Sequence, residues 1–120
     1  CFDGNKLINN QKDPIFKNLN AIGTINISVL INKVAFLKLN GDININFNNL
    51  PQSEIGYPIY TRLDYQGTAR SVSLPVTPTP ANTKIAGDTL GNDPNKIYGV
   101  TSIIHNVNGT IYMEHIINEF

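Results

Sequence analysis

The stretch INISVLINKVAFLKLNGDININF, Ile25 to Phe47, decides the fold class. Ile25, Ile27, Val29 and Ile31 alternate with Asn26, Ser28 and Leu30. Ile43, Ile45 and Phe47 alternate with Asp42, Asn44 and Asn46. A period of two belongs to a strand, whose successive side chains point to opposite faces of a pleated ribbon. Between these blocks Val34 to Leu39 is mostly apolar, which predicts a central strand. Asn32-Lys33 reads as one turn. Asn40-Gly41 reads as a second, because a type I′ hairpin needs positive φ at both central residues. The stretch is therefore predicted to be a three-stranded meander.

Working outward, residues 48–58 carry Leu50-Pro51 and Gly56-Tyr57-Pro58 and read as a loop. A strand is predicted over Ile59 to Tyr65, a turn at Gln66-Gly67, and a strand over Thr68 to Val76 that Pro75 ends or confines to an edge. Thr77 to Asn95 is a long Pro/Gly/Asn loop, a length usually tied to function or contact. Lys96 to His105 and Thr110 to Ile117 are predicted strands joined by a turn at Asn106–Gly109. With a four-residue loop, His105 faces Thr110 and Ile103 faces Tyr112. One face then carries Ser102, Ile104, Ile111 and Met113 and belongs to the core. The other carries Thr101, Ile103, His105, Tyr112 and Glu114. Residues 1–24 are polar and broken, without a sustained period, and read as an arm or connector with room for one short strand. Residues 25–120 are the β domain. No segment shows a helical period of useful length, and no internal repeat of 20–50 residues stands out.

Composition agrees with short strands and tight turns. The 120 residues include 18 Asn, 17 Ile, 9 Gly and 7 Pro, and no Trp. One domain of this size buries a core without disulfides or metal. Nine basic and nine acidic residues cancel, which excludes broad electrostatic capture of nucleic acid or an anionic membrane. No apolar run approaches the 18 residues of a membrane-crossing helix. A single cysteine, Cys1, excludes an internal disulfide and a cysteine-rich zinc site. Because the chain starts at Cys1 and not at Met, it is expected to be a fragment or a processed product. An acylated lipoprotein N-terminus at Cys1 is the alternative.

Chemistry-bearing motifs are sparse. His105 and His115 fall on opposite faces of the last hairpin, so one chain builds no two-histidine metal site from them. No nucleophile elbow, P-loop or dinucleotide fingerprint is present, and no cofactor is expected. Asp42, Glu54, Asp64 and Glu114 show no spacing that selects an acid–base pair. Leu74-Pro75-Val76-Thr77 is no sorting signal, since Pro78 follows. Asn26-Ile27-Ser28 and Asn108-Gly109-Thr110 match the glycosylation pattern by chance in so Asn-rich a chain. The densest polar-aromatic run is Tyr57, Tyr60, Arg62, Asp64 and Tyr65, with Arg70 beyond. Sugar binding uses this mixture: rings stack on C–H patches, while guanidinium and carboxylate groups bond hydroxyls. The plain alternative is a half-buried strand with a solvated Arg–Asp pair. Alternation places Tyr60, Arg62 and Asp64 on one face and Ile59, Leu63 and Tyr65 on the core face. Tyr65 and Arg70 are expected near the hairpin tip. His105 and Tyr112 form the second candidate site.

Three segments in order resemble the receptor-binding head of tail-tip proteins from phages of Gram-positive bacteria, the lactococcal phages in particular. Ile31-Asn32-Lys33-Val34-Ala35-Phe36-Leu37-Lys38-Leu39-Asn40-Gly41-Asp42-Ile43 is similar to a recurring two-strand pattern there. Leu50-Pro51 with Gly56-Tyr57-Pro58 is similar to a Leu-Pro-x-Gly-Tyr-Arg-Pro motif, although four residues replace one and the Arg is missing. Asn108-Gly109-Thr110-Ile111 within Ser102 to Met113 is similar to the closing hairpin. The resemblance spans about residues 25–117 and carries turns and core strands. It implies an all-β fold, a small antiparallel β-barrel or sandwich head, assembled as a homotrimer. The implied function is non-enzymatic adhesion to host cell-wall saccharide from the phage tail tip, with other tail and baseplate proteins as partners. Residues 1–24 would then connect to a stem. Two other functions fit the same residues: a baseplate or tail-fibre component that binds protein only, and a bacterial surface domain anchored at Cys1. In a trimer Leu30, Ile103 and Ile116 are the apolar side chains expected to be buried between subunits.

Overall fold

The computed structural model describes residues 14–52 and 57–120. The fold is all-β, with strands β1 (Ile15–Ser28), β2 (Val34–Asn48), β3 (Tyr57–Asp64), β4 (Val72–Ser73), β5 (Thr83–Gly87), β6 (Ile97–Val107) and β7 (Thr110–Glu119), and a short 3₁₀ turn at Pro80–Asn82. They form one mixed sheet in the order β1-β2-β3-β6-β7-β5, with β4 also on β2.

The pairing of β1 with β2 is parallel, and so is that of β2 with β3. The expected meander is therefore absent, and the sheet is not antiparallel throughout. Fourteen residues of straight strand would run about 45 Å, while residues 29–33 reach at most about 18 Å. Yet the Lys33 N–H donates to the Pro14 carbonyl at 2.7 Å. The chain must therefore bend back on itself, and each pass is one circuit of a flattened coil. Ile15 lies beside Val34 and Ser28 beside Asn48, so a circuit takes 19 or 20 residues. A weak 20-residue repeat is legible in hindsight: Asn20, Ile25, Asn26 and Leu30 recur as Asn40, Ile45, Asn46 and Leu50.

The bend falls where the β1–β2 register shifts, between Asn18 and Gly23. Asn40-Gly41 is at this corner and continues β2 instead of turning back. Gly41 serves close approach: a Cβ there would stand 2.5 Å from Ile22 Cγ1. Side-chain amides stack along the same corner. Asn40 Nδ2 donates to Asn20 Oδ1, and Gln66 Nε2 donates to Asn40 Oδ1 at 3.0 Å. Asn46 Nδ2 donates to Asn26 Oδ1 at 3.1 Å on the next face. Stacked amides of this kind stabilise parallel in-register strands.

Beyond the corner, the second halves of β1 and β2 fold over β6 and β7. The Phe47 ring lies 6.2 Å from that of His115, and Asn106 Nδ2 donates to the Pro51 carbonyl at 2.8 Å. Between these layers lie Ile25, Ile27, Leu37, Leu39, Ile45, Ile59, Leu63, Ile104 and Met113, all buried. Each such side chain contributes about 1.5–3 kcal/mol by leaving water. The sheet does not close into a barrel: among the described residues β1 and β5 are outer strands with one neighbour each.

Further differences from the sequence reading are local. Residues 15–24, expected in a connector, belong to β1 and pair with β2, so the sheet begins at Ile15. Residues 1–13 of that expected connector, Cys1 included, lie outside the described residues. Of the strand expected over Thr68 to Val76 only Val72-Ser73 is strand, and the long loop after Thr77 contains β5. The last hairpin turns on two residues, Asn108 (φ 53°) and Gly109 (φ 87°), so His105 faces Tyr112 and Ile103 faces Glu114. That register differs by two from the expected one. Since only an odd slip exchanges the faces, Ser102, Ile104 and Met113 are buried as expected and Ile111 is half-buried.

Candidate functional site

Alternation along β3 holds. Ile59, Thr61 and Leu63 are buried, Tyr60 and Asp64 are half-buried, and Arg62 is exposed. Each outward side chain already has a partner inside the molecule. The Arg62 guanidinium lies 4.2 Å from the centre of the Phe36 ring, its neighbour on β2, in a cation–π contact. Asp64 Oδ1 accepts from the Gln66 N–H at 2.9 Å and holds the turn. The Tyr60 ring crosses β6 at Gly99, where a Cβ would crowd its hydroxyl. Arg62 and Asp64 therefore share a face without forming an ion pair. Tyr65 is absent from that face. It is buried, its ring edge-on to Tyr98 at 5.4 Å, and burial, followed by the charge of Tyr98, pushes its phenol up to about 12. Arg70 is half-buried, and its Nε is buried without a hydrogen-bond partner among the described residues.

The second candidate pair lies in a groove. His105 on β6 and Tyr112 on β7 are direct cross-strand neighbours. They line a depression of about 330 Å³ with Asn82, Lys84, Val107 and Glu114. Glu114 lies diagonally across from His105, and its Oε2 is 3.3 Å from His105 Nε2. Lys84 enters because β5 runs parallel to β7 and pairs it with Glu114. Tyr112 is 40% exposed, so its ring is open to a ligand. A second depression of about 180 Å³ adjoins across Asn82 and includes Thr79, Gly109 and Thr110.

This groove combines an aromatic plane, an imidazole, a carboxylate, an ammonium and an amide, which together suit a neutral polyhydroxylated ligand. Sequence reading found His105, Tyr112 and Glu114 on one face but missed Asn82 and Lys84. Thr83 to Ala86 is the only local trace of β5, too short to stand out of a Pro/Gly-rich loop. Among the described residues no three His, Cys, Asp or Glu side chains come close enough to hold a metal ion.

One more arrangement looks catalytic and lacks access. Ser102 Oγ lies 2.7 Å from His115 Nδ1, but both side chains are buried in the core, and His115 Nε2 bonds the Pro75 carbonyl at 2.6 Å.

Comparison with family models, curated proteins and solved structures finds no match for the chain.

Proposed function

We propose that the chain is a non-enzymatic adhesion head of a phage tail tip, binding host cell-wall saccharide as a homotrimer, and that the sugar sits in the groove beside His105 and Tyr112. The observation that carries this reading is the groove itself: about 330 Å³, with an exposed aromatic ring and four hydrogen-bonding side chains of mixed charge around it. A ring stacks on the C–H face of a pyranose while His105, Glu114, Lys84 and Asn82 bond its hydroxyls. The zero net charge supports a neutral ligand over nucleic acid. Exposed Leu30 and Ile116 support an association of copies.

The test is calorimetric titration with purified cell-wall polysaccharides of Gram-positive bacteria. Tyr112→Ala and His105→Ala are each expected to weaken binding about tenfold or more, the scale of a lost stacking or charged hydrogen-bond contact, with melting unchanged. Loss on Tyr60→Ala or Arg62→Ala instead moves the site to the outer face of β3. Release of reducing ends by the purified protein rejects the non-enzymatic reading. Capture of other tail proteins with no saccharide binding favours the protein-binding component.

A further inference from the structure

The two ends of the sheet have opposite relief. At the β1 end Leu19 and Ile22 project from the corner of the first circuit, 56% and 62% exposed. The Ile22 side chain rests on Gly41 of the second circuit, which props it outward. Lys17 is the single charge between Ile15 and Asn32. At the other end a cleft of about 340 Å³ opens beside β4 and β5, lined by Val72, Leu74, Ile85, Leu90 and Ile117, with Asp88 its single charged residue. A Leu→Ala truncation in a well-packed core leaves about 150 Å³. By that scale the cleft holds two aliphatic side chains.

We infer that Leu19 and Ile22 of one copy seat in the β4–β5 cleft of a second copy. The contact joins different patches and is therefore heterologous, and it closes into a ring when the rotation between copies allows. The number of copies, three, rests on the trimer proposed above; the contact itself does not. Three observations converge on this occupant. The protrusion and the cleft are both aliphatic and of matching size. Lys17 on β1 and Asp88 in the cleft lining carry opposite charges. β1 and β5 each lack a second strand neighbour among the described residues, and β1 is a long edge with one charge to guard it, a form that stays exposed only at the risk of aggregation.

Light scattering of the purified chain across a concentration series tests the contact, with Ile22→Lys blocking the protrusion and Ile85→Lys the cleft. The parent is expected at three times 13.2 kDa, and each variant alone at the mass of one chain. An equimolar mixture is expected to give a two-chain complex, since Ile22→Lys keeps its cleft and Ile85→Lys keeps its protrusion. Where either variant fails to melt cooperatively, Leu19→Lys or Thr89→Lys repeats the measurement on the same patch. A mixture that stays monomeric, or one variant that keeps the parent's mass, overturns the inference. If the parent and both variants are trimers, the contact is wrong and the trimer stands. A parent monomeric at every concentration overturns both and leaves saccharide binding to be judged by Tyr112→Ala.

Discussion

His115 shows how one residue ties pH to stability. A carbonyl only accepts, so Nε2 carries the ring proton toward Pro75 and Nδ1 accepts from the Ser102 hydroxyl. Burial holds its pKa below the ordinary 6.5, and the bond to Pro75 opposes that shift without cancelling it. Below about pH 6.5 the unfolded chain takes up a proton that the folded one refuses, so stability present at higher pH is lost as pH falls. The melting temperature is expected to be level from about pH 8 to 7 and to decline below about 6.5. His115→Gln, which binds no proton, is expected to melt lower at high pH and to lack that decline. His105 is common to both proteins, so the difference isolates His115; an undiminished decline in the variant would reject this account. Tyr65 teaches a related lesson. It stands in register with Ile59 and Leu63, and that alternation marks it as core. Its place near a hairpin tip suggests a ligand contact, but the face assignment prevails because a phenol beside Tyr98 fills space between the layers.

At the scale of elements, the dipeptide Asn-Gly occurs twice with two outcomes. Asn108-Gly109 takes positive φ at both residues and turns the β6–β7 hairpin. Asn40-Gly41 takes positive φ at neither and passes through a bend of β2. Gly109 has open space where a Cβ would stand, so Gly109→Ala is expected to cost only the conformational term of about 1–2 kcal/mol. Gly41→Ala collides with the exposed Ile22 side chain, which must leave its rotamer, and is expected to cost about 0.5–1.5 kcal/mol. Ile22→Ala should relieve the second cost and leave the first untouched. A double-mutant cycle by urea denaturation then gives coupling of about 0.5 kcal/mol or more for Gly41 with Ile22, and none for Gly109 with Ile22. Additivity in the Gly41 cycle would show that the corner is not packed as described. The same contrast explains what the sequence could reveal. Alternation depends on neighbours two positions away, and it marks the faces of β2, β3, β6 and β7 and of the end of β1 from Ile25 on. Which strand lies beside which depends on residues about 20 apart, and a type I′ signal at Asn40 outweighs the recurrence of Asn20 and Ile25 at Asn40 and Ile45. The groove is half legible for the same reason. His105, Tyr112 and Glu114 follow from one hairpin, whereas Lys84 arrives by a parallel pairing across 30 residues.

At the scale of the whole molecule, the proposed function and the proposed contact make one joint prediction about avidity. A shallow groove open to water has room for one or two sugar units, and single sites of that kind bind weakly because ordering the ligand offsets much of the contact energy. Linking three such grooves raises the apparent affinity for a repeating polymer by about 10²–10⁴ without any new contact. Short fragments of the same polysaccharide occupy one groove and gain nothing. Ile22→Lys removes the association and leaves the groove at the far hairpin intact, so it separates the two quantities. The variant is expected to bind a short fragment as the parent does and the full polysaccharide about 100-fold or more weaker. Tyr112→Ala should weaken both ligands and leave the assembly mass unchanged. Salt provides an independent check. With nine positive and nine negative side chains, binding to a neutral saccharide releases few counterions. Raising salt from about 50 to 200 mM should then change affinity little, against the 10³–10⁵-fold loss typical of proteins held by many phosphates. Equal losses for fragment and polymer in Ile22→Lys would place that side chain in the binding groove rather than between copies. A steep salt dependence would point to an anionic polymer and to Lys84 as its first contact.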